Sequence, residues 1–256
     1  MLVLRSALFN VLFYLNLLGL MVFGLPTLLF GRGAIMRLAA LWGRSSLVLL
    51  RLVCGVDIEV RGREHLRSGA TIVAAKHQSL WDVFVLPTIL PDFTYVLKRE
   101  LSRIPLFGLY VTRSEQIAID RARGRAALAQ ICQAAERVFA DGRQFIIFPE
   151  GTRRPPGAPP QYKFGVSFIY GETATRCVPV ALNSGLFWPR RSFLRRPGTV
   201  VIEFLEPIEP GLERTQFLRL LEQRIETASN RLLHEAVAKD PSLAPTHAAP
   251  STDRLA

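Results

Sequence analysis

The chain has 256 residues and a formal net charge of +11 at pH 7. That length is enough to bury one substantial hydrophobic core, and it predicts one domain or two. The positive charge predicts an anionic partner, either nucleic acid or the phosphates of a membrane. The sequence shows none of the zinc spacings, recognition helices or aromatic strand signatures of nucleic-acid modules, so a nucleic-acid partner is not expected.

The first 56 residues are predicted to form a membrane-associated helical segment. They contain five arginines and no acidic residue, and the 26 residues between Arg5 and Arg32 are uncharged. A helix that crosses a bilayer needs about 20 apolar residues, so this run is long enough to span. Pro26 keeps a re-entrant or surface-lying hairpin open as the alternative. If the run spans, the arginines after it place the body on the cytoplasmic side of the membrane. In a bacterium, this membrane would be the inner membrane.

Arginines recur at a spacing of seven residues in the stretch 34–56, as Arg37, Arg44 and Arg51. This spacing places them on roughly one face of a helix, with apolar residues elsewhere. The pattern is typical of a helix that lies on anionic lipid. The alternative is a helix packed on the globular domain, with its arginines in solvent.

Apolar runs alternate with helical patterns over residues 57–239, which we predict to be the main domain. The predicted strands are 57–60, 71–75, 94–97, 116–119, 144–148, 177–182 and 199–205. The clearest helix has apolar residues at a spacing of 3.6 from Leu128 to Phe139, and a last helix is predicted over 215–236. The alternation predicts an α/β domain with a mixed, largely buried sheet flanked by helices. Residues 240–256 are predicted to be a disordered tail.

The first block of polar residues follows the second predicted strand, as Lys76-His77-Gln78-Ser79-Leu80-Trp81-Asp82. Histidine is the side chain best suited to take a proton near neutral pH. A carboxylate beside it can fix its tautomer and stabilise the imidazolium. His77 and Asp82 therefore predict a general base with its orienting acid, although a loop histidine beside an acidic helix start would give the same letters.

A second polar block follows another apolar run, as Phe148-Pro149-Glu150-Gly151-Thr152-Arg153. Two reactive strand ends in one α/β pattern predict a single site. No Gly-x-Ser-x-Gly sequence, phosphate-binding loop or dinucleotide fingerprint is present, and the three cysteines show no metal-binding pattern, so no metal is expected.

These blocks resemble the glycerolipid acyltransferase family, and most closely its 1-acylglycerol-3-phosphate acyltransferases. His77 and Asp82 match the family's first block, His-x4-Asp, and residues 148–153 match its third block, Pro-Glu-Gly-Thr-Arg. The weaker second block matches at Ile104 to Gly108, continuing to Ile119-Asp120-Arg121, and the weaker fourth block, which is hydrophobic, matches at 178–182. The resemblance extends over roughly residues 57–206. Lys76 departs from it, because many members carry asparagine there.

The resemblance implies transfer of a fatty acyl group from a thioester to the sn-2 hydroxyl of lysophosphatidic acid, which gives phosphatidic acid in phospholipid biosynthesis. His77 would deprotonate the hydroxyl and Asp82 would orient His77. The implied fold is a seven-stranded α/β acyltransferase domain preceded by a membrane-contacting helical motif. No cofactor is expected. The partners are membrane lipid and an acyl donor, which is acyl-CoA or acyl carrier protein.

The acceptor phosphate requires cations and backbone donors. The substrate-binding residues predicted for it are Lys98, Arg121, Glu150, Gly151, Thr152 and Arg153. Glu150 would either bind an acceptor hydroxyl or hold an arginine in place. Two alternatives to the function stay open: acyl transfer to another lyso-lipid, such as a lyso-ornithine lipid, and a non-catalytic lipid-binding membrane protein.

Overall fold

A computed structural model describes residues 1–120 and 124–245 of the chain. Over these residues, seven strands form one sheet in the order β1-β7-β6-β2-β5-β3-β4. The strands are β1 Val56–Arg61, β2 Thr71–Ala75, β3 Phe93–Lys98, β4 Ile117–Ile119, β5 Gln144–Ile147, β6 Cys177–Leu182 and β7 Gly198–Phe204. All neighbouring pairs are parallel except β6 and β7, which run antiparallel. The prediction of a mixed α/β sheet is confirmed.

The helices lie before the sheet in sequence and on both of its faces. They are α1 Leu2–Phe23, α2 Arg32–Leu49, α3 Trp81–Ile89, α4 Phe107–Arg113, α5 Arg125–Ala140, α6 Gly165–Thr173, α7 Ser184–Phe187 and α8 Arg214–Lys239. Helix α2 continues as a π-helical turn over Leu50–Cys54. Short 3-10 turns lie at Leu25–Leu29, Arg63–His65, Arg99–Arg103 and Pro241–Leu243.

The alternation of side chains along the buried strands divides the core into two layers. In β2, Val73 and Ala75 face a cluster that includes residues of α1, α2 and α3. Ile72 and Ala74 face the opposite cluster, which includes residues of α5, α6 and α8. Successive side chains of a strand point to opposite faces, so a strand that is apolar throughout must be covered on both. Residues 71–75 are all fully or almost fully buried, as this arrangement requires.

Helices α1 and α2 form an antiparallel hairpin that lies along the α/β body. Asn16 donates a hydrogen bond to the Ser45 hydroxyl across the hairpin at 2.8 Å. Near the start of α1 the Ser6 hydroxyl accepts from the amide of Arg195 at 2.9 Å, and near its end the Met21 carbonyl accepts from the Tyr110 hydroxyl at 2.7 Å. Contact with the body therefore extends over roughly 22 Å of helix. The hairpin is therefore packed along the body over most of the length of α1.

Aromatic side chains of α1 enter the core of the main domain. Phe9 and Phe13 are buried in the same cluster as Val73, Phe84 and Trp188. Phe9 meets the Trp188 ring edge-on, with 5.4 Å between ring centroids, and Phe13 lies 5.6 Å from the Phe84 ring. β1 begins at Val56, and the hydrophobic core extends across the predicted boundary between residues 56 and 57.

The outward side of the hairpin is strongly apolar. Helix α1 exposes Val3, Leu4, Leu8, Val11, Tyr14, Leu15, Leu18, Val22 and Phe23. By length and composition, Leu2–Phe23 and Arg32–Cys54 could each cross a membrane. In α2, Arg37, Arg44 and Arg51 are all exposed, while the opposite side packs on α3. The contact is close at Gly43, where an added Cβ would lie 2.4 Å from the Phe84 carbonyl oxygen.

The end of the described chain differs from the prediction of a tail that is disordered from residue 240. Pro241–Leu243 form a 3-10 turn that begins at Asp240, whose side chain accepts a hydrogen bond from the amide of Ser242. Leu243 is buried and belongs to the core that contains Phe187. The prediction is therefore wrong for residues 240–243, where burial of Leu243 and a hydrogen bond from Arg196 to the Ser242 carbonyl at 3.3 Å hold the chain. Residues 246–256 lie outside the described part.

Candidate active site

The two polar blocks lie next to each other at the carboxyl edge of the sheet. β2 and β5 are adjacent and parallel, with Ala74 aligned to Ile147. The chain leaves β2 into Lys76 and His77, and it leaves β5 into Phe148 and the residues that follow. In an open sheet, the carboxyl ends of parallel strands are where ligands bind.

His77 and Asp82 are joined by a hydrogen bond of 2.9 Å between Nδ1 and Oδ2. The imidazole is partly exposed, whereas the carboxyl group is fully buried. A carboxylate at Nδ1 favours the tautomer with its proton on that nitrogen, which leaves the lone pair of Nε2 free to accept a proton. The arrangement is that of a general base with an orienting acid.

The Asp82 carboxylate is held by three further donors. Its Oδ2 accepts from the amides of Gln78 at 2.7 Å and Ser79 at 2.8 Å. Its Oδ1 accepts from the Ser184 hydroxyl at 2.5 Å. Asp82 also lies in the first turn of α3, where the partial positive charge of a helix start favours a carboxylate. The buried carboxylate is therefore held in position by the His77 ring, two backbone amides and the Ser184 hydroxyl.

Ser184 was not predicted from the sequence as a site residue. It is the first residue of α7, directly after the fourth hydrophobic block, and it is fully buried. The block itself, at 178–182, forms most of β6 beside β2. A serine two residues past a strand does not by itself indicate a functional site. The only indication of such a site in the sequence was that polar residues follow the hydrophobic block.

The third block and the arginine that follows it contact the His77 loop through a ring and through the backbone. The Phe148 ring stacks on the His77 imidazole, with 4.0 Å between centroids and 19° between planes. The Arg154 amide donates to the His77 carbonyl at 2.8 Å. On its far side Phe148 stacks on Tyr95 at 6.2 Å. The orientation of the histidine therefore depends on the loop that carries the third block.

Glu150 faces inward, toward two cations. Its carboxylate lies 3.1 Å from Lys76 Nζ and 3.6 Å from Arg154 Nε, and its side chain is only 1% exposed. Burial raises the pKa of the Glu150 carboxyl above its ordinary value, and the Lys76 ammonium limits the rise. Of the two roles predicted for Glu150, this geometry favours holding an arginine, and that arginine is Arg154.

A cleft of about 480 Å³ adjoins the third block. Gly151, Thr152 and Lys163 line it, together with apolar residues of α5 and α6. Gly151 has φ +67°, a conformation that glycine adopts without strain. Arg153 is half-buried, and its carbonyl accepts a hydrogen bond from Arg190 at 2.9 Å. Within the described part of the chain, no carboxylate pairs with the Arg153 guanidinium.

Lys98 and Arg121 are the two predicted substrate-binding residues that follow other strands. Lys98 ends β3 at the same carboxyl edge, aligned with Ile119 of β4. Its side chain is well exposed and pairs with Glu100 at 3.0 Å. Arg121 lies outside the described residues, just beyond β4.

An apolar cavity of about 150 Å³ lies between the hairpin and the sheet. Its walls include Leu20, Met36, Trp42, Val83 and Tyr95. Tyr95 also stacks on Phe148, which in turn stacks on His77, so the cavity approaches the histidine through two rings. Within the described residues, no group of three or more metal-binding side chains is found.

Comparisons with known proteins agree with this architecture. A family model described as "Acyltransferase" matches residues 57–183. The 1-acyl-sn-glycerol-3-phosphate acyltransferase of Pseudomonas aeruginosa is 33% identical over 185 residues, which cover 72% of each chain. A protein of the same name from Cocos nucifera is 33% identical over 172 residues, which cover 66% of this chain and 55% of its own.

The fold is also that of a solved structure. The crystal structure of the 1-acyl-sn-glycerophosphate acyltransferase PlsC from Thermotoga maritima superposes with a TM-score of 0.77 and covers 91% of this chain and 98% of its own. The two sequences are 23% identical, so this similarity concerns the fold.

Proposed function

The chain belongs to the acyltransferase family that contains the 1-acyl-sn-glycerol-3-phosphate acyltransferases, and from this membership we propose that it acylates lysophosphatidic acid. The acyl group comes from a thioester, goes to the sn-2 hydroxyl, and phosphatidic acid is the product. The observation that carries the proposal is the bond between His77 and Asp82 at the edge of the sheet, beside the third block. A protein that only binds lipid has no need of an oriented base.

The geometry supports direct attack by the acceptor hydroxyl. His77 Nε2 takes the hydroxyl proton as the oxygen bonds to the thioester carbon, and Asp82 stabilises the imidazolium that forms. The carbon–sulfur bond then breaks, and His77 returns the proton to the leaving thiolate. Such proton transfer typically contributes 10²–10⁴-fold to a rate. Both substrates are bound before any product leaves, so the kinetics are sequential.

The cleft beside Thr152 and Lys163 is the proposed site of the acceptor phosphate. Arg153 is the first choice for binding it, because its guanidinium has no carboxylate partner among the described residues and can offer two parallel donors to phosphate oxygens. Gly151 allows the backbone to approach a ligand closely. Lys98 and Arg121 remain proposed contributors from the ends of neighbouring strands.

The apolar cavity between the hairpin and the sheet is the proposed site of an acyl chain. Its walls expose almost no polar surface, and the stacked rings of Tyr95 and Phe148 connect it to His77. The exposed apolar side of α1 supports attachment of the same hairpin to a membrane. The arginines of α2 support contact with anionic lipid, and the cytoplasmic face of the membrane is the proposed side.

The test is an acceptor comparison with the purified protein in lipid vesicles. Lysophosphatidic acid and a phosphate-free lyso-lipid are supplied separately with a labelled acyl-CoA and then with acyl carrier protein loaded with the same chain. The proposal expects labelled phosphatidic acid with at least one donor and little product from the phosphate-free acceptor. If only the phosphate-free acceptor were acylated, the acceptor of this enzyme would be another lyso-lipid and not lysophosphatidic acid. Absence of any new ester would contradict the proposed reaction.

A further inference from the structure

A buried ion cluster lies behind the catalytic histidine and includes a residue of the last helix. Lys76 Nζ lies 2.7 Å from Glu226 of α8 and 3.1 Å from Glu150. The lysine side chain is 3% exposed and the Glu226 side chain 17% exposed. Tyr162 donates a hydrogen bond to the same Glu226 oxygen at 2.8 Å. Glu226 lies more than forty residues past the end of the segment that the family model matches, 57–183.

The charges in the cluster balance only when all of its members are present. Lys76 and Arg154 supply two positive charges, and Glu150 and Glu226 supply two negative ones. A buried charge without a partner is strongly destabilising, whereas a paired one is tolerated. Without Glu226, Glu150 would be the only ion-pair partner of Lys76 in the cluster. The Glu150 carboxylate is already shared with Arg154.

The cluster joins three pieces of the chain that meet at the site. Lys76 directly precedes His77, Glu150 lies two residues after the Phe148 ring, and Glu226 is in the middle of α8. The ring of Phe148 stacks on His77, so a shift of Glu150 is transmitted to the imidazole. Neither Lys76 nor Glu150 is open to a substrate, because both side chains are almost completely buried.

We propose that Glu226 is a positioning residue for acyl transfer: by holding Lys76, it fixes the third-block loop against the catalytic histidine. The inference rests on the proposed function, since it concerns the same site. In this proposal α8 contributes to the active site through Glu226, which acts on Lys76 and does not touch a substrate. Lys76, where the family often has asparagine, is then explained by its pairing with Glu226.

The main experiment compares Glu226→Ala with Glu222→Ala. Glu222 lies one turn earlier on α8 and lines the same surface groove, so the two changes are matched in helix, charge and size. For Glu226→Ala we expect kcat per folded enzyme to fall at least about tenfold, the loss typical of one charged hydrogen bond, with the donor KM little changed. Glu222→Ala should retain the wild-type kcat.

A second variant separates positioning from stability. The double variant Lys76→Met/Glu226→Ala removes both charges of this ion pair. It therefore leaves neither a lysine without Glu226 nor a Glu226 carboxylate without its lysine. We expect its thermal midpoint to exceed that of Lys76→Met alone while its kcat stays low. A double variant with wild-type kcat would overturn the inference, as would a Glu226→Ala enzyme whose folded fraction turns over at the wild-type rate. If the wild-type protein made no phosphatidic acid, the proposed function itself would fail, which is a distinct result.

The pH dependence of stability gives a readout that does not involve activity. Glu150 is faced by Lys76 from the loop after β2, by Arg154 from its own loop, by Tyr162, and by Glu226 from α8. Burial raises the Glu150 pKa and Lys76 lowers it, so Lys76→Met raises it further. When a carboxyl group has a raised pKa in the folded state, the folded protein loses stability as pH rises through that pKa. Lys76→Met should therefore lower the thermal midpoint more at pH 8 than at pH 5, and equal losses at both would contradict the pairing.

Discussion

At the scale of single residues, the Asp82 carboxylate depends on a donor far away in the sequence. The Ser184 hydroxyl is its only hydrogen-bond donor at Oδ1 among the described residues, and both groups are fully buried. For Ser184→Ala we expect kcat to fall about tenfold, because a hydrogen bond to a charged group contributes roughly 1.5–3 kcal/mol. Substrate KM values should change little, since the serine orients the acid and contacts no substrate.

The matched control for this variant is Ser229→Ala. Ser229 is a buried serine of α8, and its hydroxyl has no hydrogen-bond partner in the structure. It should retain the wild-type kcat. If initial rates of the two variants were equal, the Ser184 bond would have no role in the reaction.

The Arg153 guanidinium is proposed to act in the binding step. For Arg153→Ala we expect kcat/KM for lysophosphatidic acid to fall about 10- to 150-fold, the range of one charged hydrogen bond, because the phosphate loses its cation. The apparent KM for the thioester should stay near its wild-type value. Arg137→Ala, which removes an exposed arginine of α5, is the control for loss of one positive charge. An increase in the donor KM alone would mean that Arg153 binds the donor phosphate.

At the scale of single residues, the sequence was informative about those site residues that lie in short motifs. His77, Asp82 and Glu150 stand in blocks, so their placement at strand ends could be predicted from apolar runs that precede them. Ser184 and Glu226 could not, because their roles come from packing across 102 and 150 residues of chain. Neither residue type nor spacing indicates such a contact.

At the scale of elements, the N-terminal hairpin is part of the core as well as a membrane-facing surface. Phe13 is 1% exposed and touches the rings of Phe84, Trp42 and Trp188. Phe13→Ala should cost about 3–5 kcal/mol, as is typical for a buried phenylalanine. In a protein of this size we expect the thermal midpoint in detergent to fall by roughly 10 °C.

The adjacent residue provides the control for that change. Tyr14 lies on the outward side of α1 and is 59% exposed. Tyr14→Ala should shift the midpoint by no more than about 2 °C, because exposed substitutions usually change stability by less than 0.5 kcal/mol. Equal shifts in both variants would mean that the hairpin does not share the core.

The strands were the most predictable elements, because their apolar runs are short and buried on both faces. The predicted ranges 71–75 and 177–182 coincide with β2 and β6. The docking of α1 was not predicted, since its sequence is apolar on all sides and has no periodicity that separates a core face from a lipid face. The order of residues 240–243 also was not predicted, because it depends on burial of Leu243 and on a hydrogen bond from the distant Arg196 to the Ser242 carbonyl.

At the scale of the whole molecule, two forces would hold the protein on a membrane. One is burial of the exposed apolar side of α1, and the other is attraction between the exposed arginines of α2 and anionic lipid. Salt at 1 M reduces the Debye length to about 3 Å and weakens only the second. The protein should therefore stay in the membrane fraction through a 1 M salt wash and be released by detergent. Release by salt alone would show that apolar insertion is absent.

The central claim is that His77, oriented by Asp82, activates the lyso-lipid hydroxyl. The most direct test is the initial rate of phosphatidic acid formation by wild-type protein and by His77→Ala in the same vesicles. General base catalysis predicts a fall of at least about 100-fold in kcat, with the thermal midpoint and the membrane binding preserved. A folded His77→Ala protein that forms phosphatidic acid at nearly the wild-type rate would contradict the account.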